Sequence, residues 1–334
     1  MALQDIEPVL NQLGQTVDLL QKDMGIPYFD ALIETGDNLL SGDVHVEDDH
    51  PSAENKAKLE ELYDKINLDG LKKDDIRLLL QLLILQGYKK EIVQANHQMT
   101  PDTIGFLVAD ILGKIFKGQK EIKLLDMGVG TGNLLFSVIN QLPNKVQAYG
   151  IDNDDTLLTL ASLSSQLQNT DVDLFHQDGL DPLLIPEVDA AISDLPVGYY
   201  PIDSKAEQFK THRQEGHSYA HFLLLEQAMR QTKASGIGVF IVPSNIFQSK
   251  DGMPLLKYIQ EVGYLQAFLN LPQGMFKNEQ SRKSIILVQK KGKNAHQADQ
   301  VLLGDYPEFK NKKEFAAFLA QIDDFIKNNI SLDK

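Results

Sequence analysis

Asp126, Asp152 and Asp178 each close a short apolar run, and carboxylates so placed suit a cofactor that carries a nucleoside and a positive charge. In "LLDMGVGTGNLL" (124–135), Asp126 stands two residues ahead of Gly128, Gly130 and Gly132, where the apolar pattern changes from strand to helix. Glycines at such a junction let the backbone approach a ligand where a Cβ would clash. A nicotinamide site favours G-x-G-x-x-G, whereas the spacing here is G-x-G-x-G. A carboxylate in that turn repels a pyrophosphate and suits a cationic head group. The next apolar run ends at Asp152, twenty residues beyond Gly132, where a carboxylate accepts from both ribose hydroxyls. A third ends in "FHQDGL", which places Asp178 to accept from an adenine amino group.

A fourth run, "AAISDLPVGYY" (190–200), delivers a polar loop. One carboxylate, rigid carbonyls and nearby rings suit the edge of a flat, amine-bearing group, with Tyr199 and Tyr200 as candidate stacking faces. His212, His217 and His221 share the stretch "THRQEGHSYAHF", but a third metal ligand at helical spacing is missing, so a loop and helix start are expected and no metal. Lys277, Arg282 and Lys283 form a basic patch, read as solubilising surface or as a rest for substrate phosphates.

The elements that must position these residues show in the texture of the chain. From about residue 96, apolar runs such as "QAYGID" and "GIGVFIVPS" alternate with amphipathic stretches, the pattern of an α/β sheet covered on both faces. The last two strand candidates lack an intervening helix, which predicts an antiparallel strand at one edge. A closing helix is expected beyond about 305. Before residue 96 the period is helical, with Leu10, Leu13, Val17 and Leu20 on one face and a second helical stretch from Lys56 to about Val93. Between them, residues 41–55 read as a solvated acidic linker. The expected division is a helical N-terminal domain, 1–95, and a cofactor-binding domain, 96–334.

Composition narrows the setting. There is no cysteine, no run approaching the roughly 18 apolar residues of a membrane span, and no basic N-terminal region of a secretory signal, so a cytoplasmic protein is expected. Of the net charge of −15, −10 lies in residues 1–95, with nineteen acidic and nine basic residues. The chain therefore advertises no basic face for nucleic-acid phosphates.

With these motifs in order, the sequence resembles the class I S-adenosylmethionine-dependent methyltransferases. Thr100-Pro101 in "NHQMTPDTIGFLVADIL", upstream of the glycine loop, narrows the resemblance to N6-adenine DNA methyltransferases, above all the modification subunits of type I restriction systems. It covers roughly residues 95–292. It implies a Rossmann-like seven-stranded sheet, S-adenosylmethionine as cofactor, and cofactor contacts from Thr100, Asp126, Gly128, Gly130, Gly132, Asp152 and Asp178. The catalytic loop of that family is Asn/Asp/Ser-Pro-Pro-aromatic, here Asp194-Leu195-Pro196-Val197. By resemblance, Asp194 and the Leu195 carbonyl would accept from the target amino group. Leu195 replaces the first proline and Val197 the aromatic that stacks on a flipped base, which leaves Tyr199 and Tyr200 to supply the ring.

About forty residues follow the last strand candidate, too few for a long target-recognition region, so a separate specificity chain is the expected partner beside DNA. A second copy of the chain is another expected partner, through the N-terminal helices. Two further readings stay open on the same residues. One moves the acceptor to RNA or a protein glutamine; the other is a noncatalytic cofactor-binding protein.

Overall fold

The computed structural model describes residues 3–92, 98–248 and 250–333. Helices α1 (Leu3–Met24), α2 (Tyr28–Ser41), α3 (Ala53–Tyr63) and α4 (Lys73–Lys90) build the N-terminal unit. Their apolar faces close on Leu13, Val17, Leu20, Leu32, Leu79 and Leu83, all buried. The expected linker is mostly exposed, yet it is tied down at particular points. Val44 is buried, and the Ser52 N–H and Asn55 amide donate to Asp23 at 2.6 and 2.7 Å, so the stretch lies against α1. The boundary expected between residues 95 and 96 falls outside the described residues.

Helix α5 (Asp102–Ile115) leads into the sheet. Strands β1 (Glu121–Met127), β2 (Lys145–Asp152), β3 (Val172–His176), β4 (Val188–Asp194) and β5 (Thr232–Pro243) run parallel, linked by α6 (Asn133–Gln141), α7 (Asp155–Leu167), a single turn α8 (Asp203–Ala206) and α9 (Ala220–Gln231). Helix α10 (Met253–Val262), β6 (Gly263–Asn270), β7 (Lys283–Lys290), β8 (Leu302–Asp305) and α11 (Lys312–Asn329) complete the order.

The sheet runs β3-β2-β1-β4-β5-β7-β6-β8. The antiparallel strand is β7, set between β5 and β6, and the outer strand is β8, parallel to β6. That eighth strand was not expected: "LLGD" is four residues long, too short to carry a period. Alternate residues of each strand serve opposite faces. Leu124, Ile192 and Ile241 pack under α5, α6 and α11, while Leu125, Met127 and Val242 pack under α9 and α10. Such two-sided burial explains the unbroken apolar stretches inside the central strands, such as Ala190–Ile192 in β4 and Ile285–Val288 in β7.

Strand order reverses between β1 and β4, so the chain departs from their carboxyl ends in opposite directions and opens a crevice there. The N-terminal unit packs on the helices of one sheet face, with α4 on α6 and α7, and α2 on α7.

Candidate active site at the β1 and β4 strand ends

Asp126 is the last polar residue of β1 and is 1% exposed. Neither of its carboxylate oxygens has a hydrogen-bond partner. Burial first, then the charges of Asp152 and Asp194, push its pKa well above the usual carboxylate range. An incoming cation would relieve all three effects, so the residue fits the ammonium or sulfonium of the expected cofactor. The glycine loop beside it has positive φ at Gly128 (92°), Gly130 (53°) and Gly132 (79°), conformations that side chains resist. The N–H groups of Gly128 and Val129 both donate to the Ile151 carbonyl at 2.9 Å, which ties the loop to β2.

Asp152 closes β2 and already braces this loop. Its Oδ2 accepts from the Gly130 N–H at 2.7 Å and its Oδ1 from the Asp154 N–H at 3.0 Å. A carboxylate offers about four acceptor positions, so two remain for ribose hydroxyls. Asp178, after β3, is more heavily used. Its Oδ2 takes the Tyr200 hydroxyl and the Lys205 ammonium, the latter at 2.9 Å, and its Oδ1 takes the Leu180 N–H at 2.9 Å. Burial works against its charge, yet these donors hold its pKa below the usual range. One position on Oδ1 is left for an adenine amino group.

Asp194 ends β4, the neighbour of β1. Its Oδ1 accepts from Lys283 Nζ at 2.6 Å and its Oδ2 from the Thr100 hydroxyl at 3.0 Å. Thr100, expected to touch the cofactor, therefore commits its hydroxyl to the acceptor side. Lys283, expected in a surface patch, faces inward to the same carboxylate. Its neighbour Arg282 is held by Asp305 at 2.7 Å and by the Leu271 carbonyl at 2.8 Å. The expected phosphate rest is thus largely consumed by internal pairs.

The loop after Asp194 lies against the glycine loop. Pro196 Cδ is 3.8 Å from where a Cβ on Gly128 would stand, and the Leu195 N–H donates to the Ile241 carbonyl at 3.2 Å. Val197 and Tyr199 face solvent, at 52% and 58% exposure. The two tyrosines divide: Tyr200 is buried under Asp178, its phenol pushed up to about 12 chiefly by burial, and borders the cofactor side. Tyr199 stacks on Tyr219, with ring centroids 5.0 Å apart and planes 21° apart.

Tyr219 was not singled out in the sequence, because nothing local marks it as the partner of a ring twenty residues earlier. Its hydroxyl donates to Asp251 at 3.1 Å, and the Arg213 guanidinium lies 5.2 Å from its ring centre. His221 packs between Tyr219 and Phe222, and burial pushes its pKa down to about 4. His217 pairs with Asp203 at 3.0 Å, so the three histidines do not converge. Among the described residues, no group of three or more His, Asp or Glu is arranged to hold a metal ion.

A second missed residue is Arg77 on α4, 2% exposed. It donates to Asp102 at 2.8 Å and to Asn133 Oδ1 at 2.9 Å, while the Asn133 amide donates to the Thr100 carbonyl at 2.7 Å. The available signal was an arginine on the buried face of an otherwise apolar helix, "DDIRLLLQLLIL".

Comparison with known proteins agrees with this geometry. Residues 83–329 match the family described as N-6 DNA Methylase, and residues 7–88 match the YtxK N-terminal helical domain. The Bacillus subtilis protein YtxK is 37% identical over 320 residues, covering 96% of this chain and 97% of its own. A Listeria monocytogenes structure assigned to the class I S-adenosylmethionine-dependent methyltransferases is 40% identical, with a TM-score of 0.90 over 97% of this chain and 100% of its own. The methyltransferase subunit of a Streptococcus thermophilus type I restriction-modification system shares the fold, with a TM-score of 0.63 at 18% identity over 97% of this chain and 75% of that one. The chain belongs to the N-6 DNA methylase family.

Proposed function

We propose that this member of the N-6 DNA methylase family transfers a methyl group to the N6 amino group of adenine in DNA. The chain is a methyltransferase and its cofactor is S-adenosylmethionine, in keeping with the family. The observation that carries the reading is the meeting of two loops: Pro196 lies against Gly128, which puts Asp194 and the unpartnered Asp126 at the ends of adjacent strands.

When bound, S-adenosylmethionine supplies an electrophilic methyl group on a positively charged sulfur. Asp126 would hold the cationic methionine end, Asp152 the ribose and Asp178 the adenine amino group. Asp194 and the Leu195 carbonyl accept hydrogen bonds from the acceptor amino group, which fixes the direction of its lone pair. As the nitrogen gains positive charge, the adjacent Asp194 carboxylate stabilises it, and orientation of the two reactants supplies much of the rest. With one donor on each oxygen, Asp194 keeps about two acceptor positions for the amine beside Thr100 and Lys283. Tyr199, backed by Tyr219, presents the ring that Val197 lacks, and a base stacked there is held by about 1–3 kcal/mol.

An acidic chain gains little from phosphate attraction, so we assign DNA affinity and sequence choice to a separate specificity chain. We place the activity in the cytoplasm. The test is transfer of labelled methyl groups to genomic DNA from a strain without adenine methylation, followed by nucleoside analysis. Label in N6-methyladenine is the expected result. Tight cofactor binding with label appearing only in RNA or in protein glutamine would overturn the choice of acceptor.

A further inference from the structure

The acceptor side of the site is held by an arginine that belongs to the N-terminal helices. Arg77 sits one turn into α4, and its guanidinium is shared among three carboxylate or amide groups. Its Nε donates to Asp74 at 2.7 Å, its Nη1 to Asp102 and Asn133, and its Nη2 to the second oxygen of Asp102 at 3.1 Å. Gln81, one turn further along α4, adds a bond to Asp102 at 2.6 Å. Asp102 opens α5 and Asn133 opens α6, so a single side chain staples the starts of two helices.

Asn133 is the pivot. It is 6% exposed, its carbonyl oxygen is taken by Arg77, and its amide nitrogen is thereby turned toward the Thr100 carbonyl at 2.7 Å and Asp102 at 3.1 Å. Thr100 in turn donates its hydroxyl to Asp194. An amide that must both accept from a cation and donate to a carbonyl has one orientation, and the arginine selects it. The planar fork matters as well as the charge, because a lysine ammonium cannot address Asp102 twice and Asn133 once in this geometry.

We propose that Arg77 is a positioning residue for methyl transfer: through Asn133 and Thr100 it fixes the carboxylate of Asp194, so that the N-terminal helical unit completes the acceptor site. The inference rests on the functional reading above for the role of Asp194. Its structural core, the link from Arg77 to Thr100, is measurable without catalysis.

The experiment compares Arg77→Lys with Asp74→Asn, which removes another partner of the same guanidinium without touching Asn133. In full-length protein carrying 13C at threonine methyls, the Thr100 signal is assigned by its loss in Thr100→Ser. Arg77→Lys is expected to shift that signal, as Asp194→Asn does, while the Thr159 signal on the outer face of α7 stays put. Asp74→Asn should leave Thr100 unmoved even where it lowers the melting temperature as much. In transfer to the same unmethylated DNA, Arg77→Lys should lower kcat about 10- to 100-fold, the cost of a displaced orienting group, with the S-adenosylmethionine Kd changed less than about threefold.

Should Arg77→Lys fail to fold, Asn133→Ala, which keeps the Arg77–Asp102 pair, is expected to give the same shift. An unmoved Thr100 signal, or equal losses of transfer in Asp74→Asn and Arg77→Lys, would overturn the proposal. If the wild-type protein methylates no DNA while Thr100 still responds to Arg77, the choice of acceptor fails and the link stands.

Discussion

Asp126 and Asp194 end neighbouring strands of one sheet, and the protein treats them in opposite ways. Asp126 is buried with no donor on either oxygen, whereas Asp194 has Thr100 on one oxygen and Lys283 on the other. A buried ionised carboxylate without a partner costs several kcal/mol, so the first site stays protonated until a cation enters. The second already has an internal cation, Lys283, beside it. Any counter-charge for Asp126 has to come from outside, whereas that for Asp194 is supplied from inside.

The largest expected effect separates the two halves. Asp194→Ala should lower methyl transfer about 10²- to 10³-fold, as loss of an electrostatic stabiliser does, and leave S-adenosylmethionine affinity within about threefold. Single-turnover transfer and calorimetry on the same preparation check it. Retained transfer would erase the proposed division of labour.

Next in size is the converse. Asp126→Asn should weaken S-adenosylmethionine about 10- to 100-fold, the equivalent of about 1.5–3 kcal/mol for a lost charged hydrogen bond, without changing the rate at saturating cofactor. Because Asp126 must give up a proton to bind a cation, the wild-type binding heat should vary with the ionisation enthalpy of the buffer. The variant should lose that dependence. A buffer-independent wild-type heat would mean that the carboxylate is already ionised and that the contrast with Asp194 is one of contacts alone.

The two halves also differ in how far the sequence exposes them. The carboxylates at the β1, β2 and β3 ends follow strands in chain order, so a short apolar run followed by an acidic residue is enough to single them out. The parallel sheet and the helical N-terminal unit are legible for the same reason. The acceptor half is assembled across the fold. Lys283 comes from the start of β7, Thr100 from ahead of α5, Tyr219 from ahead of α9 and Arg77 from α4, and no local pattern couples them. Lys283 in particular looks like a solubilising charge until strand β7 is inserted between β5 and β6, which points its first residue at Asp194. Thr100 illustrates the same point: the motif locates it, while its hydroxyl bond to Asp194, 94 residues away, has no local signal.

The smallest expected effect tests Asp126 without its counter-charge. Below the usual carboxylate range, near the reference value of 3.8, Asp126 is protonated in both the folded and the unfolded chain and is indifferent to pH. As pH rises, the unfolded chain releases the proton while the folded chain retains it, so this residue's contribution to stability is progressively lost until the buried group itself ionises. The loss is about 1.4 kcal/mol per pH unit over that window. Asp126→Asn carries no such proton. Its melting temperature should match or trail the wild type at the acidic end and gain on it steadily as pH is raised, in the absence of cofactor. Saturating S-adenosylmethionine should abolish the gain, because the bound cation brings the wild-type carboxylate to its ionised form. A difference in melting temperature that stays constant with pH would show that Asp126 is not held protonated, and would place the opposition between the two strand ends in their partners rather than in their charge.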